Sequence, residues 1–305
     1  MPLSSAHWEF GRGIIVNATR VHILSFPIVN PEQEPGGVTQ VINWRPDQLS
    51  SFTIPWEAKM IQYVSKPEPY IAIIGPMGDV FLSTPQGNAE ELIDETDRGP
   101  NARGVIRDAK LIGKHLYSVG MGRQVYRREK NGQWMHIDKD MFPDKPIPDI
   151  VGFCCIDGYN EDEIYVAGWR GEIWWYDGRK WTAIDSPTNM KLERIICAPD
   201  GYVYAMGQSA VVLRGRKNTW RQIDHGETDQ QFWGSSWFND HLWMSTDSGL
   251  YRLNNIDAIE KVDIGIEGKF TYRWLDSIDE ALWSFGPNHI CYSIDGEKWS
   301  QVIFD

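Results

Sequence analysis

Five aspartates recur at one register of this 305-residue chain. Asp94, Asp138, Asp185, Asp224 and Asp263 close the runs "AEELID", "QWMHID", "KWTAID", "TWRQID" and "IEKVD". An aspartate directly after an extended segment can close a turn by accepting from its own backbone amides. Ranged along one edge, five such carboxylates also create a negative field that steers a basic partner. The two uses are compatible, because a capping aspartate keeps its charge. The segments these residues open add to it: 224–231, with Asp224, Glu227 and Asp229, carries −3, and the five segments together carry −7 of the chain's net −12. A second candidate is Trp169 with Arg170, in the stretch "YVAGWRGEIWWYDGRKW". Trp169 falls in a turn and has no aromatic counterpart elsewhere in the chain, so it is expected to be exposed.

Other chemistries find less support. The seven histidines are scattered, with no HxH or HExxH spacing, so no metal ion is expected. There is no GxSxG elbow and no P-loop, and "GMGR" at 120–123 reads as a turn between strands. No catalytic base or nucleophile stands out, and no cofactor is expected. Cys154, Cys155, Cys197 and Cys291 form no CxxC pair and are expected to be buried, inert thiols. The acidic balance argues against direct nucleic-acid binding, which requires a basic surface. The longest apolar runs are too short to span a bilayer. The start, "MPLSSAHWEFGRG", lacks a basic segment followed by an apolar one, so a cytoplasmic location is expected.

The aspartates owe their common register to a repeat. "LYSVG", "IYVAG", "VYAMG", "LWMST" and "LWSFG" place Tyr117, Tyr165, Tyr204, Trp243 and Trp283 at spacings of 48, 39, 39 and 40. Trp134, Trp181, Trp220, Ile259 and Trp299 follow at spacings of 47, 39, 39 and 40. Two independent registers share one period. Each unit reads as four short strands with turn signals between them, including Asp157–Gly158 and Asp177–Gly178. Four strands at a period of about 40 residues are the signature of a β-propeller. An all-β single domain over 1–305 is expected, with blades near 57–93, 104–137, 151–184, 192–223, 231–262 and 270–302. The first 55 residues supply a less regular seventh blade through "WEFGRGIIV", "RVHILSF", "TQVINW" and "SSFTI"; six blades plus an N-terminal clasp is the second choice. Trp134, Trp181, Trp220 and Trp299, demanded by nearly every blade, are expected to pack between blades.

The segment "YSIDGEKWSQV" resembles the Asp-box of sialidase-like propellers through Ser293, Asp295, Gly296 and Trp299, with one residue missing between Asp295 and Gly296. "YDGRKW" at 176–181 is a weaker copy without the serine, and the layout is also similar to kelch repeats without their paired glycines. In those families the Asp-box is a structural turn remote from the active site. Sialidase chemistry would need three arginines around a carboxylate sugar, a tyrosine nucleophile and an Arg-Ile-Pro motif, and that motif does not occur.

In a propeller, connections leaving the fourth strands share one face, so the five aspartates are expected on one acidic face. The opposite edge is richer in base, with Arg127, Arg128, Lys130, Arg179, Lys180, Arg214, Arg216 and Lys217. The favoured reading is a non-catalytic propeller that binds a basic protein through the acidic face, such as an immunity protein for a nuclease toxin whose anionic substrate it imitates. The alternative is a carbohydrate-active or small-molecule propeller using the central channel, with Trp169, Trp233, Trp237 and Trp274 stacking on sugar rings and Glu193 or Glu227 as the acid. A third reading, an assembly factor for a membrane complex, needs an address that the sequence does not display.

Overall fold

Branched and aromatic residues, punctuated by Gly, Asp and Asn, favour pleated strands closed by tight turns. The computed structural model describes residues 8–28, 37–130, 132–141, 151–254 and 257–304. Among them the chain forms seven antiparallel four-stranded sheets, each hydrogen-bonded in chain order. The first sheet is Trp8–Asn17, Arg20–Pro27, Thr39–Arg45 and Gln48–Ile54; the second is Met60–Val64, Tyr70–Ile74, Asp79–Thr84 and Gly87–Leu92. The third is Ile106–Ile112, His115–Gly120, Val125–Arg128 and Trp134–His136; the fourth is Phe153–Asn160, Glu163–Gly168, Ile173–Tyr176 and Trp181–Ile184. The fifth is Leu192–Cys197, Val203–Gly207, Val212–Arg216 and Thr219–Gln222. The sixth is Gly234–Phe238, His241–Thr246, Gly249–Leu253 and Ile259–Val262; the seventh is Trp274–Ile278, Ala281–Gly286, His289–Ser293 and Trp299–Gln301. The N-terminal residues therefore build a complete sheet rather than a clasp.

The chain divides into two compact units. One holds residues 1–61 with 233–305, and the other holds 62–232. In the first unit, the first and seventh sheets pack on each other through Ile15, Ile23, Trp283 and Phe285, all buried. The Ile15 amide donates to Asp276 Oδ2 at 2.9 Å. In the second unit the same device recurs: Asp157 Oδ2 accepts from the Cys197 amide at 2.9 Å, and Asp108 Oδ2 from the Ile156 amide at 3.3 Å. A first strand has a bonded neighbour on one side only, so carboxylates of the adjoining sheet supply acceptors that its free edge lacks.

The repeat registers define where adjacent sheets touch. Tyr117, Tyr165, Tyr204, Trp243 and Trp283 lie on the second strands and are all buried. The fourth-strand tryptophans reach back onto the preceding sheet. Trp220 lies edge-on to Tyr165 at 6.2 Å, and Trp299 to Trp243 at 6.0 Å. Trp181 joins the cluster of Tyr117 and Val119 and donates its Nε1–H to the Ile137 carbonyl at 2.8 Å. Aromatic pairs at these separations favour such edge-to-face geometry. Cys154, Cys155 and Cys291 are buried and unpaired, and burial pushes the thiols up, to about 11 for Cys154 and about 12 for Cys291.

Two turns carry the sequence motif quoted above. Asp295 Oδ1 accepts from the amides of Glu297 and Lys298 at 2.8 and 2.7 Å, with Gly296 at φ +81°. Asp177 Oδ1 accepts from Arg179 and Lys180, both at 2.9 Å, with Gly178 at φ +85°. A turn expected at Asp157–Gly158 is not there. The strand runs through to Asn160, and the chain turns where Asn160 Oδ1 accepts from the Asp162 amide. Asp157 faces the fifth sheet instead, and that contact holds the segment extended.

Candidate functional site

Successive strands of each sheet run in opposite directions, so the turn between the second and third strands emerges at the same end as the connection leaving the fourth. In the second unit a series of backbone hydrogen bonds ties these segments into one edge. Ile106 N donates to Pro76 O, Met121 N to Val105 O, Gly122 N to Val151 O, and Trp169 N to Gly152 O. Gln208 N donates to Lys191 O and Phe232 N to Gly207 O, so the series of six runs at 2.8–3.0 Å throughout. This edge carries Asp94, Asp138, Asp185, Asp224, Glu227, Asp229, Trp169 and Arg170. Asp263 belongs to the other unit, where it is exposed and accepts from the Gly265 amide at 2.9 Å.

The recurring aspartates separate into two kinds. Asp138 is fully buried: Oδ2 accepts from Arg103 Nη1 at 2.6 Å and from the Val125 amide at 3.3 Å. Its other oxygen lies 3.4 Å from His136 Nδ1. Asp94 accepts from the Thr96 amide at 2.8 Å and pairs with His136 Nε2 at 2.6 Å. These two carboxylates tie the connection before the third sheet to that sheet through Arg103, Val125 and His136, and Asp138 presents no surface to a binding partner. Asp185, Asp224, Glu227 and Asp229 are exposed.

Burial alone would push Asp138 and Asp94 up. For Asp138 the His136 and Arg103 contacts outweigh it, and for Asp94 the Thr96 amide and His136 do, so both carboxyls sit below their usual range. His136, held first by Asp138 and then by Asp94, is raised above 6.5. A raised imidazole stabilises the fold below its unfolded value and loses that contribution as pH rises through the folded one. The lowered carboxylates contribute above their unfolded range and lose it as pH falls. The cluster is therefore strongest between the carboxylate and imidazole ranges. Thermal unfolding of wild type against His136→Gln is expected to show a wild-type advantage at pH 5.5 that shrinks at pH 8.5. A pH-independent difference would mean that His136 is not charged in the fold.

Trp169 and Arg170 lie in the turn between the second and third strands of the fourth sheet. Arg170 is exposed at φ +60°. Gly171 follows at φ +72°, where an added Cβ would stand 2.1 Å from the Thr188 carbonyl, so only glycine lets the turn rest on segment 185–191. Trp169 is half-buried, with Lys191 Nζ 4.6 Å from its ring centroid. Lys191 Nζ is 2.6 Å from the buried Glu193 carboxylate, which also accepts from Gln231 Nε2 at 2.8 Å. Trp169, segment 185–191 and segment 224–231 thus form one contiguous surface. Sequence reasoning passed over Met190 and Lys191, because their segment is neutral overall; an exposed methionine within a polar connection was the signal available.

The basic residues at the other end of these sheets are largely engaged. Arg128 pairs with Glu91 at 2.5 Å, Arg127 with Glu129 at 2.7 Å and Arg216 with Glu163 at 2.7 Å. Arg214 lies over Tyr202, and Lys217 over Trp175. The residues of the carbohydrate reading do not collect in one unit: Trp233, Trp237 and Trp274 are in the first, Trp169, Glu193 and Glu227 in the second. Arg273 lies over Trp233 and Arg12 over Trp274, at 5.1 and 4.2 Å. Among the described residues no group of three His, Cys, Asp or Glu side chains is placed to hold a metal ion. Among the described residues no helix is long and apolar enough to cross a membrane.

Seven four-stranded sheets following one another along the chain define a seven-bladed β-propeller. Solved structures agree. YCF48 bound to D1 peptide aligns over 82% of this chain and 85% of its own, with a TM-score of 0.59 and 15% identity. The WD40 repeats of RRP9 align over 94% and 92%, with a TM-score of 0.64 and 11% identity. Likeness at that level speaks for the fold alone, and no family model matches the chain. Immune protein Tsi7 of Pseudomonas aeruginosa is 36% identical over 249 residues, spanning 82% of this chain and 81% of that protein. The chain belongs to the family of Immune protein Tsi7.

Proposed function

We propose that the chain neutralises a protein toxin by covering it with the connecting edge of the second unit. The observation that carries this reading is the 36% identity to Immune protein Tsi7 over four-fifths of both chains. The exposed carboxylates Asp185, Asp224, Glu227 and Asp229 supply a charge that suits a basic toxin, a nuclease among them, by standing where its anionic substrate would bind. Asp94 and Asp138 act one step removed, by tying the connection before the third sheet to that sheet. The work is done in the cytoplasm, and the turns at Asp295 and Asp177 are degenerate Asp-box turns with a structural task.

Neutralising Asp185, Asp224, Glu227 and Asp229 to the corresponding amides tests the electrostatic part. The variant is expected to bind the toxin about tenfold more slowly at low salt, with a shallower loss of affinity as salt is raised. Stopped-flow association across a salt series measures both. Rates and salt slope equal to wild type would assign binding to another surface or to an uncharged partner.

A further inference from the structure

We infer that Trp169, Arg170 and Met190 form the anchor of this docking surface, receiving an apolar side chain that the toxin presents among lysines or arginines. The inference rests on the immunity reading and adds the place where binding energy is concentrated.

Steered encounter and tight binding draw on different residues. Exposed charges chiefly set the association rate. Affinity concentrates in a few aromatic, apolar and arginine side chains near the centre of an interface. Most aromatic rings of the second unit are fixed within or between sheets, as Tyr117, Tyr165 and Trp181 are. Trp169 lies instead in a turn at the docking edge, with no counterpart in the repeat. It is partly exposed while its Nε1 atom is buried, so the area it shows to solvent is ring carbon. Met190, at 36% exposure, precedes the lysine that lies against that ring. A ring already supported by a cation, with an exposed flexible thioether on the residue preceding that cation, is a surface that can pack on a partner without large rearrangement.

The flanks identify the occupant. Lys191 is balanced by Glu193. The exposed charges around the apolar centre are then Arg170 against Asp185, Asp224, Glu227 and Asp229, a net negative rim. An apolar centre inside a negative rim suits an apolar knob inside a positive one.

The test uses purified full-length chain and its cognate toxin, with dissociation constants from biolayer interferometry. Trp169→Ala is expected to weaken binding about 30-fold or more, chiefly through faster dissociation. Met190→Ala and Arg170→Gly are expected to weaken it by about tenfold, and Trp169→Phe to retain most of the wild-type affinity. Arg170→Gly preserves the turn and Met190→Ala removes only surface, so these two report on binding even if Trp169→Ala unfolds. Wild type that binds while Met190→Ala and Arg170→Gly stay within threefold of it would overturn the anchor and leave the immunity reading standing. Wild type that neither binds this toxin nor protects cells from it would overturn the immunity reading, and the anchor with it.

Discussion

Asp138→Ala is expected to cost the second unit about 3–5 kcal/mol, the range for removing one partner of a buried ion pair. The carboxylate is fully buried and Arg103 is nearly so, with 11% of its side chain exposed. Truncation strips the carboxylate from a guanidinium at low dielectric that also donates to the Gly122 carbonyl at 2.7 Å. His136 loses a carboxylate neighbour 3.4 Å from its Nδ1. The Val125 amide loses its carboxylate acceptor as well. Calorimetry should show the melting temperature lowered on the order of 10 °C, given the size of the unit. Replacing both partners by apolar residues, Arg103→Met with Asp138→Leu, is expected to be milder, because no uncompensated charge remains. The result separates Asp138 from Asp224, two registers further along the repeat. Neutralising Asp224 is expected to change association and leave stability nearly untouched. A small stability change at Asp138 together with a loss of toxin affinity would reverse that assignment.

Trp283→Ala is expected to destabilise the first unit by a similar amount, about 3–5 kcal/mol. Trp283 is fully buried on the second strand of the seventh sheet. Its ring stacks on Tyr292 at 4.8 Å, lies nearly parallel to Phe285 at 6.0 Å, and takes Trp44 of the first sheet edge-on at 5.3 Å. Truncation opens a cavity between two sheets, and the surrounding strands, each hydrogen-bonded on both sides, can collapse into it only partly. Denaturant unfolding followed by tryptophan fluorescence is the suitable measurement. A loss under about 1 kcal/mol would mean that the first and seventh sheets do not depend on this contact. Trp283→Phe, which keeps a ring at the contact, should recover most of the loss.

These two residues also mark what a sequence can and cannot disclose. Trp283 was legible, because a residue required once per sheet returns at the period of the sheet. The same logic located the second-strand aromatics, the fourth-strand tryptophans and the turns at Asp177 and Asp295. It also supplied the aspartate register, but not the state of each aspartate. Asp138 and Asp185 occupy equivalent positions, and one is sealed inside while the other is exposed. The difference lies in Arg103, 35 residues earlier, which reaches Asp138 only when the connection before the third sheet folds beneath it. No local pattern reports a pairing of that kind. Asp157–Gly158 misled for the same reason: the dipeptide favours a turn, but the amide of Cys197 on the next sheet claims the carboxylate. Trp169 stood out as the aromatic without a counterpart, whereas Met190 gave no signal, because only the fold brings its neighbour Lys191 against the ring.

The most direct measurement of the central claim is survival. Cells expressing the cognate toxin are to be plated with wild-type chain, with the amide variant at Asp185, Asp224, Glu227 and Asp229, and with Asp138→Ala at a permissive temperature. Wild type is expected to restore growth fully. The amide variant is expected to restore it only when overproduced, and folded Asp138→Ala to restore it as wild type does. Cells that die in the presence of abundant, folded wild-type chain would contradict the assignment of this propeller as an immunity protein.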